Sequence, residues 1–140
     1  MRRSLVAVAA TTLFAVGAGS AVAASWHSLG EMRTTGAQFV KGQYTFYPKF
    51  TNHGGFGFKG GLKDLVKGDG NNVYILSKVE GYDWRRFNGK QGKVVQMNKV
   101  VYDGAALYVR KAWIRVCRDR GSLRPDNCSP TKYYKGPNQD

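Results

Sequence analysis

Gln38-Phe39-Val40-Lys41-Gly42-Gln43-Tyr44-Thr45-Phe46-Tyr47-Pro48 is the stretch on which the reading of this chain turns. Val40, Tyr44 and Phe46 share one parity, with Gly42 between them, and Lys41, Gln43 and Thr45 take the other. Such period-2 alternation puts one set against a core and the other in water, the pattern of a half-buried β-strand. Pro48 ends the run, and Asn52-His53-Gly54-Gly55 supplies turn chemistry. Phe56, Phe58 and Leu62 then alternate with Gly57, Lys59 and Gly61, a second strand whose glycines suit a bend or an edge.

The same grammar continues downstream. Lys67-Gly68-Asp69-Gly70-Asn71-Asn72 reads as a turn, and Val73, Ile75 and Val79 as one face of a central strand. Gly81 breaks that strand, and Tyr82 to Gly92 reads as a loop holding Asn88-Gly89, a tight-turn dipeptide. Lys93 to Tyr102 and Ala105 to Arg118 read as two further strands. In the last, Ala112, Ile114 and Val116 face inward, and Trp113, Arg115 and Cys117 face the other way. No stretch has a helical period. Short strands separated by turn signals predict an all-β domain, a small antiparallel β-sandwich or barrel.

The ends read differently. Arg2-Arg3, the apolar or small run Leu5 to Gly19, and Ala21-Val22-Ala23 have the three parts of a secretory signal. That run, about 15 residues, is short of the ~20 needed to span a bilayer. The arginine pair leaves open whether the general or the twin-arginine route is used. Cleavage after Ala23 gives this organisation: 1–23 signal peptide, 24–36 flexible polar arm, 37–129 β domain, 130–140 flexible tail. The expected location is extracellular, with no stable membrane insertion after cleavage.

Cleavage removes two of the 22 basic residues and none of the nine acidic ones, which leaves a net charge of +11. A charge of that sign selects partners rather than a fold. The expected partners are another secreted protein or an anionic cell-surface polymer; export makes nucleic acid a less natural one. Cys117 and Cys128 are the only cysteines, and an even count in an exported chain favours a disulfide. Closing so short a loop stabilises by roughly 2–3 kcal/mol in the chain-entropy picture.

Catalytic constellations are sparse. His27 and His53 have no cysteine or carboxylate at a triad or metal spacing. A small ribonuclease would need an acid–base pair and an arginine, and only His53 stands where it could serve. Glu80 and Asp83 sit three apart across a strand end, which suits surface carboxylates better than a glycosidase pair. Asp64, Asp69 and Asn71 lack the alternating ligands and closing glutamate of a calcium loop. No catalytic residue, metal ligand or cofactor is assigned.

Binding residues stand out more. Tyr82-Asp83-Trp84-Arg85-Arg86-Phe87 combines the residue types that most often dominate interface energy. A second cluster, Arg110, Lys111, Arg115, Arg118, Arg120 and Arg124, forms a guanidinium-rich surface suited to carboxylates and phosphates. The disulfide is expected to gather Arg118, Arg120 and Arg124. The candidate binding residues are therefore Tyr82, Trp84, Arg85, Arg86, Phe87, Arg115, Arg118, Arg120 and Arg124.

Gly68-Asp69-Gly70-Asn71-Asn72-Val73-Tyr74, Lys78-Val79-Glu80-Gly81-Tyr82, Val116-Cys117-Arg118-Asp119-Arg120-Gly121 and Asp126-Asn127-Cys128 together form a longer string. From about Asp69 to Ser129, the chain resembles a group of small secreted one-disulfide proteins of high-GC Gram-positive bacteria. Some proteins of this size and type are similar to the adaptor subunit of umbrella toxin particles, which joins a lectin-like subunit to a large toxin subunit. The resemblance implies a non-enzymatic linker, with strand exchange through the N-terminal arm, and transfers no site residue. Two other functions stay open beside it: a stand-alone cationic effector that binds anionic envelope polymers, and a small secreted hydrolase.

Overall fold

The computed structural model describes residues 24–139. The expected signal peptide, 1–23, lies outside the described residues. Ten strands form two antiparallel sheets, which settles the expected all-β architecture as a sandwich. They are β1 (His27–Ser28), β2 (Met32–Thr34), β3 (Ala37–Phe46), β4 (Phe56–Asp64), β5 (Val73–Val79), β6 (Arg85–Asn88), β7 (Val94–Val101), β8 (Lys111–Arg118), β9 (Asn127–Cys128) and β10 (Lys132–Lys135). The first sheet runs β1-β3-β4-β7, with β2 also on β3; the second runs β10-β8-β5-β6, with β9 also on β8. Phe56, Phe58 and Leu62 from the first sheet and Val73, Ile75, Ile114 and Val116 from the second share one core between them, each at most 0% exposed.

The opening strand departs from simple alternation for a local reason. Lys41 and Gly42 stand opposite the single residue Gly60, so β3 carries a bulge, and Lys41 takes a positive φ of 52°. An extra residue reverses the parity of everything before it. Ala37 and Phe39 are therefore buried before the bulge, and Tyr44 and Phe46 pack on the core after it. Val40 is not on their face; it lies against Gly61 on the outer side. The glycines of β4 do not mark an edge, since β4 sits between β3 and β7. They make room for rings: a Cβ at Gly60 would stand 2.8 Å from Phe39 Cζ, and one at Gly57 would stand 2.6 Å from Tyr47 Cε2.

Neither terminus is loose within the described residues, which corrects the flexible arm and the flexible tail. In 24–36, β1 and β2 both pair with β3, Leu29 donates its N–H to Gly42 O at 2.9 Å, and Leu29 and Met32 are each 1% exposed. Gly30, at φ 69°, turns the chain between them. In 130–139, β10 lies along β8, and the Tyr134 ring sits 4.0 Å from that of Tyr44. Tyr134 Oη donates to Leu29 O at 2.7 Å, so one terminus fastens the other. The expected loop Tyr82 to Gly92 contains β6, and the strand expected from Ala105 begins only at Lys111. Cys117 and Cys128 are bonded and face one another directly across β8 and β9, with Cα atoms 4.1 Å apart.

Because Leu29 and Met32 fill the core, Leu29→Ala and Met32→Ala should each lower unfolding free energy by about 2–5 kcal/mol. Denaturant unfolding of the oxidised protein measures this. A loss under about 0.5 kcal/mol, as for an ordinary surface change, would contradict the placement of 24–36.

Candidate binding face

The two central strands of the second sheet decide what faces outward. Ile75, Ser77 and Val79 on β5 and Ala112, Ile114 and Val116 on β8 are all 0% exposed. Their neighbours Leu76 and Lys78, and Trp113 and Arg115, must then project from the opposite face. The register sets Lys78 opposite Trp113, and Trp113 opposite Tyr133 of β10. On the other side β6 pairs Arg85 with Ser77, which brings Trp84, one residue earlier, beside Lys78. Tyr133, Trp113, Lys78 and Trp84 thus form one row across four strands, about 14 Å long at the usual strand spacing.

Cations sit on the rings of this row. The Trp113 and Tyr133 rings are 5.3 Å apart, tilted by 38°. Lys78 Nζ lies 5.0 Å from the Trp113 ring centre and 5.2 Å from that of Trp84. The Arg115 guanidinium is 4.7 Å from the Trp84 ring. Each such contact contributes on the order of 0.5–2 kcal/mol, more as the site loses water. Beside the row lies an open groove of about 450 Å3, lined by Lys78, Glu80, Tyr82, Lys111, Trp113 and Tyr133.

The face has an electrically closed half. Arg86 lies 3.6 Å from the Tyr74 ring, donates from Nη2 to Asp119 at 2.8 Å, and from Nε to Asn88 Oδ1 at 2.8 Å. Tyr74 Oη donates to the Asp126 carboxylate. Burial, and then that hydrogen bond, push the Tyr74 phenol up to about 12. The Arg86 guanidinium and the Gly121 N–H hold the Asp119 carboxyl below its ordinary value. The other half is open: Lys78 and Arg115 have no ion pair and no side-chain hydrogen bond among the described residues, and Arg115 Nε is shielded from solvent without a partner.

The expected binding residues divide accordingly. Trp84, Arg86 and Arg115 share this outer face, and Tyr82 stands 55% exposed at the groove. Phe87 faces inward instead, its ring 5.3 Å from Phe58, because it shares parity with the core-facing Ile75. Arg85 sits at the exposed sheet edge above Phe87. Arg118 is no open cation: it pairs with Asp69 and lies against Gly36, tying two turns together. The Asn71 N–H, more than the Arg118 guanidinium, holds the Asp69 carboxyl below its ordinary value. Arg120 Nη1 donates to Asn127 Oδ1 at 3.0 Å, and Arg124 is exposed in the following turn. Of the three arginines expected to be gathered by the disulfide, Arg118 is thus engaged with Asp69 and Arg120 with Asn127.

Lys78, Trp113 and Tyr133 complete the face and were not among the expected binding residues. A signal for them existed. A bond between Cys117 and Cys128 sends the chain after Cys128 back along β8, and the adjacent tyrosines Tyr133 and Tyr134 have the β-propensity that an added strand favours.

Catalytic groups are dispersed. His27 tilts against Tyr44, and His53 stacks on Tyr102 at 4.1 Å with a left-handed φ of 58°. Neither imidazole makes a hydrogen bond or ion pair among the described residues. Glu80 accepts the Arg110 N–H at 2.7 Å, and Asp64 accepts the Val66 and Gly92 N–H groups at 3.0 and 2.7 Å. Among the described residues no three histidine, cysteine, aspartate or glutamate side chains come close enough to hold a metal, and no helix is long and apolar enough to cross a membrane. No protein-family model, curated protein or solved structure matches the chain.

Burial also raises the Tyr134 phenol to about 12. A raised phenol favours folding while it is protonated. Its contribution is whole below about 10, the free value, and is lost as pH climbs towards 12. Phenolate absorbance should therefore show Tyr74 and Tyr134 titrating late, coupled to alkaline unfolding. Tyr74→Phe should remove one late phase. Ionisation of Tyr74 and Tyr134 near pH 10 in the folded protein would contradict the geometry.

Proposed function

We propose that this chain is an exported, non-enzymatic interaction module, and that the outer face of the β10-β8-β5-β6 sheet is the surface it presents to an acidic partner. One observation carries the reading: Lys78 and Arg115 are fixed on the ring of a shared tryptophan, Trp84, and have no ion-pair partner among the described residues. Both lie within about 10 Å of each other, roughly a Debye length at physiological salt, so they repel and a bridging anion relieves that repulsion. Rings that hold the cations in place reduce the side-chain entropy lost on binding. Tryptophan and arginine at the centre of such a patch suit a binding hot spot.

The adaptor role implied by the resemblance is one form of this reading, with a second secreted protein as partner; an anionic cell-surface polymer is the other. Strand exchange through 24–36 is not its mechanism as first expected. That segment already supplies β1 and β2 to this chain's own sheet, and withdrawing it would expose Leu29 and Met32. The face, rather than the arm, is offered to the partner.

The test is affinity purification of the tagged mature protein from culture supernatant, beside the Lys78→Gln/Arg115→Gln variant. An acidic partner should co-purify, elute with salt, and fall at least tenfold with the variant. Recovery of the protein alone as a monomer, or a partner held equally by both, would contradict the proposal.

A further inference from the structure

The groove beside Trp113 narrows the chemistry of that partner. It runs alongside the cross-strand row, with Trp113 at its side and two well-exposed rings, Tyr82 (55%) and Tyr133 (49%), on its margins. Glu80 and Lys111 supply an acceptor and a donor at the rim. Lys78 lines the groove, and Arg115 stands one ring further along, on Trp84. The site therefore sets two rings, a fixed cation and a third ring in a line about 14 Å long, with Arg115 on the last ring.

We infer that the groove binds a strand of an anionic glycopolymer, with sugar faces against Tyr82, Trp113 and Tyr133 and the polymer's carboxylate or phosphodiester groups on Lys78 and Arg115. This rests on the reading of the outer face as the recognition surface.

Three physical arguments favour a glycan over an acidic protein here. A sugar ring turns C–H bonds towards its faces and hydroxyls towards its rim, so it covers an aromatic face without stranding a polar group. The slightly positive C–H edge also meets the negative ring face. An extended peptide laid over the same rings would place its N–H and C=O groups against apolar surface, at a cost for each one unpaired. The groove's rings stand on β8 and β10 and beside β5, and the ladders of β8 and β5 are filled on both sides, so a peptide could join only at the outer edge of the four-residue β10. A flat protein partner would need roughly 800 Å2 of matching surface, whereas this site is a local open groove of about 450 Å3. A single-stranded nucleic acid shares the charge and the stacking, but Lys78 occupies the space between Trp84 and Trp113 where a base would insert.

Binding of the mature protein to polygalacturonate (a carboxylate polymer) and to phosphomannan (a phosphodiester polymer), measured by calorimetry at low and physiological salt, tests this. Dextran, poly-L-glutamate and oligo-dT serve as comparisons, and melting curves check that each variant is folded. At least one anionic glycan should bind, dextran should not, and poly-L-glutamate should bind at least tenfold more weakly. Which glycan binds tells carboxylate from phosphodiester recognition. Tyr82→Ala/Tyr133→Ala should weaken glycan binding at least tenfold without changing poly-L-glutamate binding, and Lys78→Gln/Arg115→Gln should weaken both. Poly-L-glutamate bound as tightly as glycan, with no effect of the ring variants, would overturn the glycan assignment and leave the acidic-partner reading standing. Preference for oligo-dT would overturn it in favour of a nucleic acid. Binding of none of the polymers would overturn it, and the pull-down would then decide the acidic-partner reading by itself.

Discussion

Ile75, Ser77 and Val79 on β5, and Ala112, Ile114 and Val116 on β8, are all closed to solvent, and this one-sided burial fixes where the rest of both strands points. A slip of one residue between them would turn three side chains of each strand into water. The sheet has further locks on that register. Ser77 Oγ donates across to Trp113 O at 3.1 Å, so the polar side chain in the buried set is satisfied rather than stranded. The Cys117–Cys128 bond holds β9 in place, and β10 follows in line. The outer row Tyr133, Trp113, Lys78 and Trp84 is a consequence of burial on the other face.

The two halves of that outer face differ in how charge is handled. On one side Arg86, Tyr74, Asn88, Asp119 and Asp126 form a connected set in which each cation and carboxylate has a partner. Such a network gives rigidity, and its exposed ion pair adds little free energy by itself. On the other side the positive charge of Lys78 and Arg115 is met only by ring quadrupoles, which orient a cation without neutralising it. Arg118 illustrates the contrast. It lies on the same strand as Arg115, yet it is spent on Asp69 and on covering Gly36.

Much of the second sheet was legible in the sequence because its strands alternate without interruption. The inward set of β8, the central place of β5 and the disulfide all follow from parity and cysteine count. The first sheet was harder. The bulge at Lys41–Gly42 breaks the parity of β3, and the Phe39 ring packs there against Gly42 and, across the strands, Gly60, a contact that no local pattern displays. The termini were misread because β1, β2 and β10 are two to four residues long, too short to show a period. What orders them is tertiary: Leu29 and Met32 in the core, and Tyr134 on Leu29 and Tyr44. The same gap hid Tyr133, and with it the aromatic end of the proposed binding face. The pairing of Arg118 was hidden for a related reason, since its carboxylate partner Asp69 is distant in sequence.

The protein contains three tryptophans, and their placement allows one direct measurement. Trp84 and Trp113 lie on the proposed face, whereas Trp26 sits on the other sheet, against Tyr47 and under Lys59. In a 15N-labelled sample titrated with an oligogalacturonate, the indole N–H signals of Trp84 and Trp113 and the Nε–H of Arg115 should shift together and saturate. Those of Trp26 and Arg118 should stay in place. Shifts confined to Trp26, or equal at all three indoles, would contradict the assignment of recognition to the open half of the second sheet.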